Sequence, residues 1–163
     1  MDSDFKHNIL TIDNTNFNYS LINYSILFQN CIDILNKYST NKTLALEKIC
    51  ILLKQKIDCY DWVGFYFLNE DKKKLVLKCF AGKPTEHKEI PIGKGICGQV
   101  AMTAKTFIVD DVSKEKNYIS CDINVRSEIV VPIFVDGENI GQLDVDSTII
   151  NAFDKNDENF LKQ

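Results

Sequence analysis

DWVGFYFLNEDKKKLVLKCFAG, the segment from Asp61 to Gly82, contains two β-rich runs separated by a charged turn at Asn69 to Lys73. This pattern predicts an antiparallel hairpin. A second pair of β-rich runs, SEIVVPIFV and NIGQLDVDS, is joined around Asp136-Gly137, a dipeptide typical of tight hairpin turns. Antiparallel strands are therefore predicted on both sides of the middle of the chain.

Between the hairpins lies EIPIGKGICGQVAMTAKTFIVDD, Glu89 to Asp111, in which a GxGxxG pattern begins at Gly93. The pattern occurs in dinucleotide-binding folds, where a strand, a glycine turn, a full helix and a parallel strand follow one another. Here hairpins flank it, Pro91 interrupts the preceding strand, and the helix predicted at about Gly98 to Lys105 has only about two turns. We interpret the glycines as a strand-to-helix turn that places Cys97 near a helix N-terminus, where unpaired amides favour a thiolate.

Helices are predicted at both ends of the domain. Apolar residues at helical spacing indicate two helices before the first hairpin, and a charged segment, DKNDENFLKQ, indicates one at the end. The polar residues 1–20 are expected to be poorly ordered or to lie on the surface, and residues 21–163 to form one domain. The predicted class is α+β, with a central antiparallel sheet, the terminal helices on one face and a ligand pocket under loops on the other.

Composition limits the kinds of partner. The chain has 163 residues, 45% of them apolar, and a net charge of -4, which gives no general attraction to nucleic acid or anionic lipid. The sequence has no secretory or membrane-spanning stretch, so a cytoplasmic location with reduced cysteines is expected. Neither CxxC nor histidines at metal-ligand spacing occur, so we expect no metal site.

Two of the six cysteines, Cys97 and Cys121, lie outside the predicted helices and hairpin strands. Cys31, Cys50 and Cys79 are interpreted as small buried apolar residues. Cys121 lies in YISCDINVRSEI, close in sequence to Arg126, a setting that favours the reactive thiolate.

Three acids form the second candidate group. Asp144 and Asp146 are two apart on a predicted strand and therefore point to one face. Glu128 lies opposite Asp146 if the hairpin loop has three residues, whereas a two-residue loop turns it to the other face. The acids either form a solvated strand face or, if crowded, raise one another's proton affinity and supply a proton at neutral pH.

Aromatic residues and a serine complete the candidates. Trp62 and Tyr66, four apart on a strand, share a face and form either a core stripe or a binding surface. Ser127 either contacts a ligand or only begins a strand.

Several stretches together resemble free methionine-(R)-sulfoxide reductases, single-domain members of the GAF fold. They are DWVGFYFL, AGKPTEHKEIPIGKGICGQVA, YISCD, RSEIVVPIF and IGQLDVDS, and the resemblance runs from about Leu44 to the C-terminus. It implies a GAF-like fold with an enclosed pocket and reduction of the R epimer of free, not peptide-bound, methionine sulfoxide. It also implies recycling by thioredoxin and no metal or organic cofactor.

The resemblance implies a role for each candidate. Cys121 matches the attacking cysteine, and Cys97 matches a second cysteine able to form a disulfide with it. Trp62 and Tyr66 match the aromatics around the substrate methyl group. The acids that bind the substrate and help to protonate the sulfoxide oxygen are matched by Glu128, Asp144 and Asp146.

One position departs from the family. A third cysteine, often the preferred resolving thiol, is usual ten residues before the position of Cys97, and this chain has His87 there. His87 is either an exposed loop residue or an imidazolium that lowers the pKa of a nearby thiol. Because of this departure, a GAF-type module that senses a small ligand or redox state without turnover remains an alternative. A third alternative is a disulfide-switching interaction protein. A homodimer is also left open.

Overall fold

The computed structural model describes residues 23–116 and 123–163, so the segment expected over residues 1–20 lies outside the described residues. Within this part, one antiparallel sheet is formed by β1 (Trp62–Leu68), β2 (Lys74–Ala81), β3 (Glu89–Pro91), β4 (Phe107–Val109), β5 (Ser127–Val135) and β6 (Glu138–Ser147). The strand order is β3-β2-β1-β6-β5-β4. The helices are α1 (Tyr24–Lys37), α2 (Lys42–Lys56), α3 (Gly95–Thr103) and α4 (Lys155–Leu161). The predicted α+β class is confirmed.

The terminal helices begin at polar caps and pack on one face of the sheet. The side chains of Asn23 and Asn41 accept hydrogen bonds from the first-turn amides of α1 and α2, and Asp154 forms a capping box at the start of α4. The core below these helices includes Leu27, Ile49, Leu53, Val63, Phe65, Val145 and Phe160. Within the described ranges, none of the helices has the length and apolar character needed to cross a bilayer.

The glycine pattern makes a tight turn that presses α3 onto the opposite face. Gly93 and Gly95 have φ of 83° and 63°, a region that favours glycine, and a Cβ on Gly98 would lie 2.6 Å from the Pro91 carbonyl oxygen. The structural interpretation of the glycines is confirmed. The helix begins at Gly95, three residues before its predicted start, so Cys97 lies within its first turn.

The β5–β6 hairpin combines a two-residue loop with a bulge. The loop consists of Asp136-Gly137 alone, which by itself would turn Glu128 away from Asp146. The register shifts once along the hairpin and leaves Ile140 without a pairing partner on β5. This one extra residue restores the alignment in which Glu128 lies directly opposite Asp146.

Candidate active site

Three carboxylates are buried together beneath α3. Asp144 is 0% exposed, Asp146 2% and Glu128 5%, and all three point to the same face of the sheet. The predicted common face of Asp144 and Asp146 is confirmed, and the solvated strand face is wrong. Because a buried carboxylate is costly without protons or donors, this cluster needs proton sharing to be stable.

The cluster contains an acid and a base. Burial raises the pKa of Glu128 well above its usual range, and the charges of Asp144 and Asp146 raise it further. Burial also raises the pKa of Asp144 to about 7, against the opposing effect of hydrogen bonds from Cys97 and Glu128. The fold therefore favours the protonated form of Glu128, while Asp144, with a pKa of about 7, can accept or release a proton near neutral pH.

Cys97 adds a thiol to the carboxylates. Its Sγ lies 3.2 Å from Oδ2 of Asp144 and 4.0 Å from Oε1 of Glu128, so the thiol donates toward the acids. The Cys97 sulfur and one carboxylate oxygen each of Glu128 and Asp144 lie within 4.8 Å of one another. Among the described residues, these three could therefore bind a cation together. The thiol–carboxylate contact gives Cys97 a proton acceptor at the distance needed for deprotonation.

An aromatic surface lies beside the acids on β1. The rings of Trp62 and Tyr66 have centroids 6.3 Å apart, as expected for one face of a strand. Trp62 Nε1 donates to the Lys83 carbonyl, and the Tyr66 hydroxyl donates to the His87 carbonyl. These bonds tie the aromatic pair to the 83–87 loop and fix the orientation of both rings.

A cavity of about 410 Å³ opens at this surface, a volume that suits a small molecule. Trp62 and Asp146 contribute to its wall, as do Lys54 and Lys83. Because the lining includes an aromatic ring and charges of both signs, the cavity is suited to a small ligand that carries both charges.

Of the predictions for Cys121 and His87, the structure describes only the residue at position 87. Cys121 lies outside the described residues, although Asn124, two residues after the end of that segment, lines the cavity. His87 is half-buried and, with Cys97 and Glu128, lines a space of about 10 Å³, close to that of one water molecule. His87 is therefore a partly exposed loop residue that lines the same small space as Cys97.

Ser127 is not brought to the site. Its Oγ donates to the Ile149 carbonyl at 2.6 Å, and its side chain points to the face opposite that of Glu128. The hydroxyl is therefore used in a hydrogen bond within the fold, at the edge of the core between the sheet and the terminal helices.

Gly64 is a site residue that the sequence reasoning missed. It lies between Trp62 and Tyr66 on β1, and a Cβ at this position would lie 2.1 Å from the Trp62 ring. The indole can therefore lie across the strand only because residue 64 has no side chain. A glycine between two aromatics of one strand face is the signal that could have revealed this.

Gly64→Ala is therefore expected to displace the Trp62 ring. Because the chain has one tryptophan, its fluorescence reports this displacement directly, as a shift in emission with a folded circular dichroism spectrum. Gly137→Asn is the matched control, since nothing lies within 4 Å of that position and asparagine tolerates its positive φ. An unchanged emission spectrum in Gly64→Ala would contradict the packing described here.

The fold and site identify the class of protein. The family model of the GAF domain matches residues 45–163, so the chain is a GAF-domain protein. Free methionine-R-sulfoxide reductase of Escherichia coli (strain K12) is 36% identical over 124 residues, which cover 76% of this chain and 73% of that protein. The chain belongs to the free methionine-R-sulfoxide reductase family.

Solved structures show the same relationship. Free methionine-R-sulfoxide reductase from Neisseria meningitidis, in complex with its substrate, has a TM-score of 0.79 at 35% identity and covers 85% of this chain and 81% of that chain. The substrate complex of the Staphylococcus aureus protein fRMsr has a TM-score of 0.78 at 39% identity, with 86% and 90% covered.

Proposed function

We propose that this chain reduces free L-methionine (R)-sulfoxide to methionine by thiol chemistry. The observation that carries the proposal is the Cys97 thiol, 3.2 Å from Asp144 and next to the buried Glu128. The aromatic surface of Trp62 and Tyr66 lies on the same face of the sheet. Similarity to reductases solved with substrate supports the same activity.

The first step is attack by the Cys121 thiolate on the sulfoxide sulfur. Glu128 donates a proton to the sulfoxide oxygen, which would otherwise carry an unstable negative charge. The hydroxyl group then moves from the substrate sulfur to the Cys121 sulfur as the bond between the two sulfurs breaks, so that methionine is released and Cys121 becomes a sulfenic acid.

The second step regenerates the thiols. Asp144 accepts the Cys97 proton, and the Cys97 thiolate attacks the Cys121 sulfenic sulfur, which forms a disulfide and releases water. A thioredoxin-type dithiol then reduces the disulfide to two thiols, in a cytoplasmic setting that provides such a reductant.

Recognition of the free amino acid uses the cavity. Trp62 and Tyr66 contact the methyl group on the sulfur, while Asp146 pairs with the ammonium group. Lys54, which also lines the cavity, provides a positive charge for the carboxylate.

Turnover is expected to require a free amino acid. The assay is NADPH oxidation coupled through thioredoxin and thioredoxin reductase, with free methionine (R)-sulfoxide as substrate. An N-acetylated or dipeptide substrate should react much more slowly, because it removes the charge that pairs with Asp146. Comparable rates on free and blocked substrates would contradict this recognition model, and no turnover of either would contradict the proposed activity.

Trp62→Ala is expected to lower kcat/KM by the loss of packing against the methyl group, an effect of roughly 1–3 kcal/mol. The variant should remain folded, because Trp62 lies at the cavity wall. Phe80→Leu is a control, since Phe80 stacks on Trp62 at 5.6 Å but does not line the cavity. Unchanged kcat/KM in folded Trp62→Ala would limit Trp62 to a core role.

A further inference from the structure

Three side chains beneath α3 offer the donor atoms of a metal site. The Cys97 sulfur lies 3.2 Å from Oδ2 of Asp144 and 4.0 Å from Oε1 of Glu128. One ligand atom from each residue lies within 4.8 Å of the other two. One thiol and two carboxylates, from α3, β5 and β6, are therefore close enough together for a single ion to contact all three.

These separations fit zinc coordination. A tetrahedral zinc ion has bonds of about 2.3 Å to sulfur and about 2.0 Å to oxygen, which places a sulfur ligand and an oxygen ligand about 3.5 Å apart. The two sulfur–oxygen separations in the cluster, 3.2 Å and 4.0 Å, lie on either side of that value. Only small side-chain shifts are therefore needed to close the three ligands around an ion.

Asp144 provides a second indication of a ligand. Its side chain is fully buried, and its Oδ1 has no hydrogen-bond partner among the described residues. The other oxygen of the same carboxylate accepts from the Cys97 thiol. Because a buried carboxylate oxygen without a partner is costly, Oδ1 indicates a positively charged or hydrogen-bonding group that these side chains do not supply.

The fourth coordination position can be filled by water. Cys97 and Glu128 line the space of about 10 Å³ that is close in size to one water molecule. Three protein ligands and one water are the usual set of an open zinc site. Lys94 also lines this space, but it is an exposed residue, so its ammonium group can stay in water while an ion occupies the site.

The charge of the cluster suits a divalent cation. Asp146 lies directly opposite Glu128 and adds a third carboxylate, and the charge of Glu115 also acts on Glu128. A divalent ion can replace the protons that otherwise limit the repulsion between these acids. A thiolate ligand and so few oxygen ligands favour Zn²⁺ over Mg²⁺ or Ca²⁺.

We propose that Cys97, Glu128 and Asp144 bind one Zn²⁺, with a water as the fourth ligand. The protons of the Cys97 thiol and the Glu128 carboxyl are released as the ion binds, because zinc takes the deprotonated ligands. Since the ligands come from three separate elements, no short motif marks the site, and the sequence alone predicts no metal.

Zinc at this site is expected to inhibit turnover reversibly. The ion holds Cys97 as a coordinated thiolate and Glu128 as a carboxylate. In the proposed reaction Cys97 forms the disulfide and Glu128 donates the proton, so neither group can act while the ion is bound. This consequence rests on the proposed function, whereas the binding itself does not.

The test is calorimetric titration of the full chain with Zn²⁺, with the thiols kept reduced by a phosphine. Wild type is expected to bind one Zn²⁺ per chain, to release it to EDTA and to retain it in excess Mg²⁺. Titrations in buffers of different ionisation enthalpy should show that protons are released on binding. Co²⁺ at the same site should give the absorption band of a thiolate–cobalt bond.

Asp144→Asn and Cys97→Ser should each weaken Zn²⁺ binding by at least about 10–100-fold, the loss typical of removing even an outer-shell partner. Asp61→Asn and Cys59→Ser are the matched controls, one acid and one thiol outside the cluster, and should bind Zn²⁺ as wild type does. If Cys97→Ser does not fold, Cys97→Ala replaces it. Equal affinities of Asp144→Asn and Asp61→Asn would overturn the proposal.

Cys121→Ser should keep the ion, because Cys121 is not a ligand in this site. Loss of binding in that variant would place the ion between the two candidate catalytic thiols and overturn the proposal. The binding measurement also separates this proposal from the reductase activity. A chain that binds Zn²⁺ as described but reduces no methionine sulfoxide would contradict the proposed function alone, whereas a reductase that binds no Zn²⁺ would contradict only the metal site.

Discussion

Cys121→Ser is expected to form no methionine, even in a single turnover without reductant. A hydroxyl is far less nucleophilic than a thiolate at neutral pH, so the attack on the sulfoxide sulfur fails before any oxygen transfer. The measurement is the amount of methionine per chain after enzyme and methionine (R)-sulfoxide are mixed in stoichiometric amounts and quenched.

Cys97→Ser is the matched variant with a different expected result. It should release about one methionine per chain and then stop as a sulfenic acid on Cys121, because the first step needs only the attacking thiol. A sulfenic-acid-specific probe should label this variant and not Cys121→Ser. With thioredoxin, turnover should be slow or absent.

The outcomes separate the alternatives. Methionine release by Cys121→Ser, with none by Cys97→Ser, would exchange the roles of the two thiols. Equal activity of both variants would remove the thiol mechanism and favour a GAF module that binds a small ligand without turnover.

The parts of the fold that the sequence predicts are those governed by local pattern. Alternation places Trp62 and Tyr66 on one face and Asp144 and Asp146 on one face, and the structure agrees. The turn around Gly93 follows from its backbone requirement, and flanking hairpins exclude the dinucleotide fold. Each of these depends on a few neighbouring residues.

The parts that escape prediction depend on tertiary packing. The bulge at Ile140 decides whether Glu128 faces Asp146, and a one-residue shift leaves no clear mark on an apolar strand. Burial of the acids depends on α3, whose start at Gly95 is set by contact with the preceding strand. Ser127 illustrates the same limit, since its direction follows from the register that places Glu128 in the site.

Glu128→Gln is expected to lower the rate of the first methionine release by about 10²–10⁴-fold, the range typical of a lost general acid. Glutamine has nearly the same shape but no acidic proton for the sulfoxide oxygen. Asp61→Asn is the control, since Asp61 lines the cavity beside Trp62 but lies outside the buried acid cluster. A single-turnover rate in Glu128→Gln equal to that of wild type would assign the proton to another group.

The pH dependence of the wild-type rate should have the matching sign. Burial and the neighbouring aspartates raise the pKa of Glu128, so its acid form persists above the usual range of a glutamate and is lost as the pH rises through the raised pKa. The first-step rate should therefore fall on the alkaline side. The residual rate of Glu128→Gln should lack this fall, whereas a fall that persists would belong to a different titrating group.

Burial of Glu128 and Asp144 also lowers the free energy of unfolding as these acids ionise. Unfolding therefore provides a readout that is independent of activity. An acid whose pKa is raised on folding binds more protons in the folded than in the unfolded state, so the free energy of unfolding falls as the pH rises between the two values. For Asp144 this interval runs from 3.8 to about 7, and Glu128 contributes with the same sign. Glu128→Gln removes its own contribution, so denaturant unfolding should show the variant gaining stability over wild type as the pH rises above 4.5, the usual pKa of a glutamate. A difference that stays constant over this range would mean that Glu128 is not held protonated by the fold, and the proton for the sulfoxide oxygen would then have to come from Asp144.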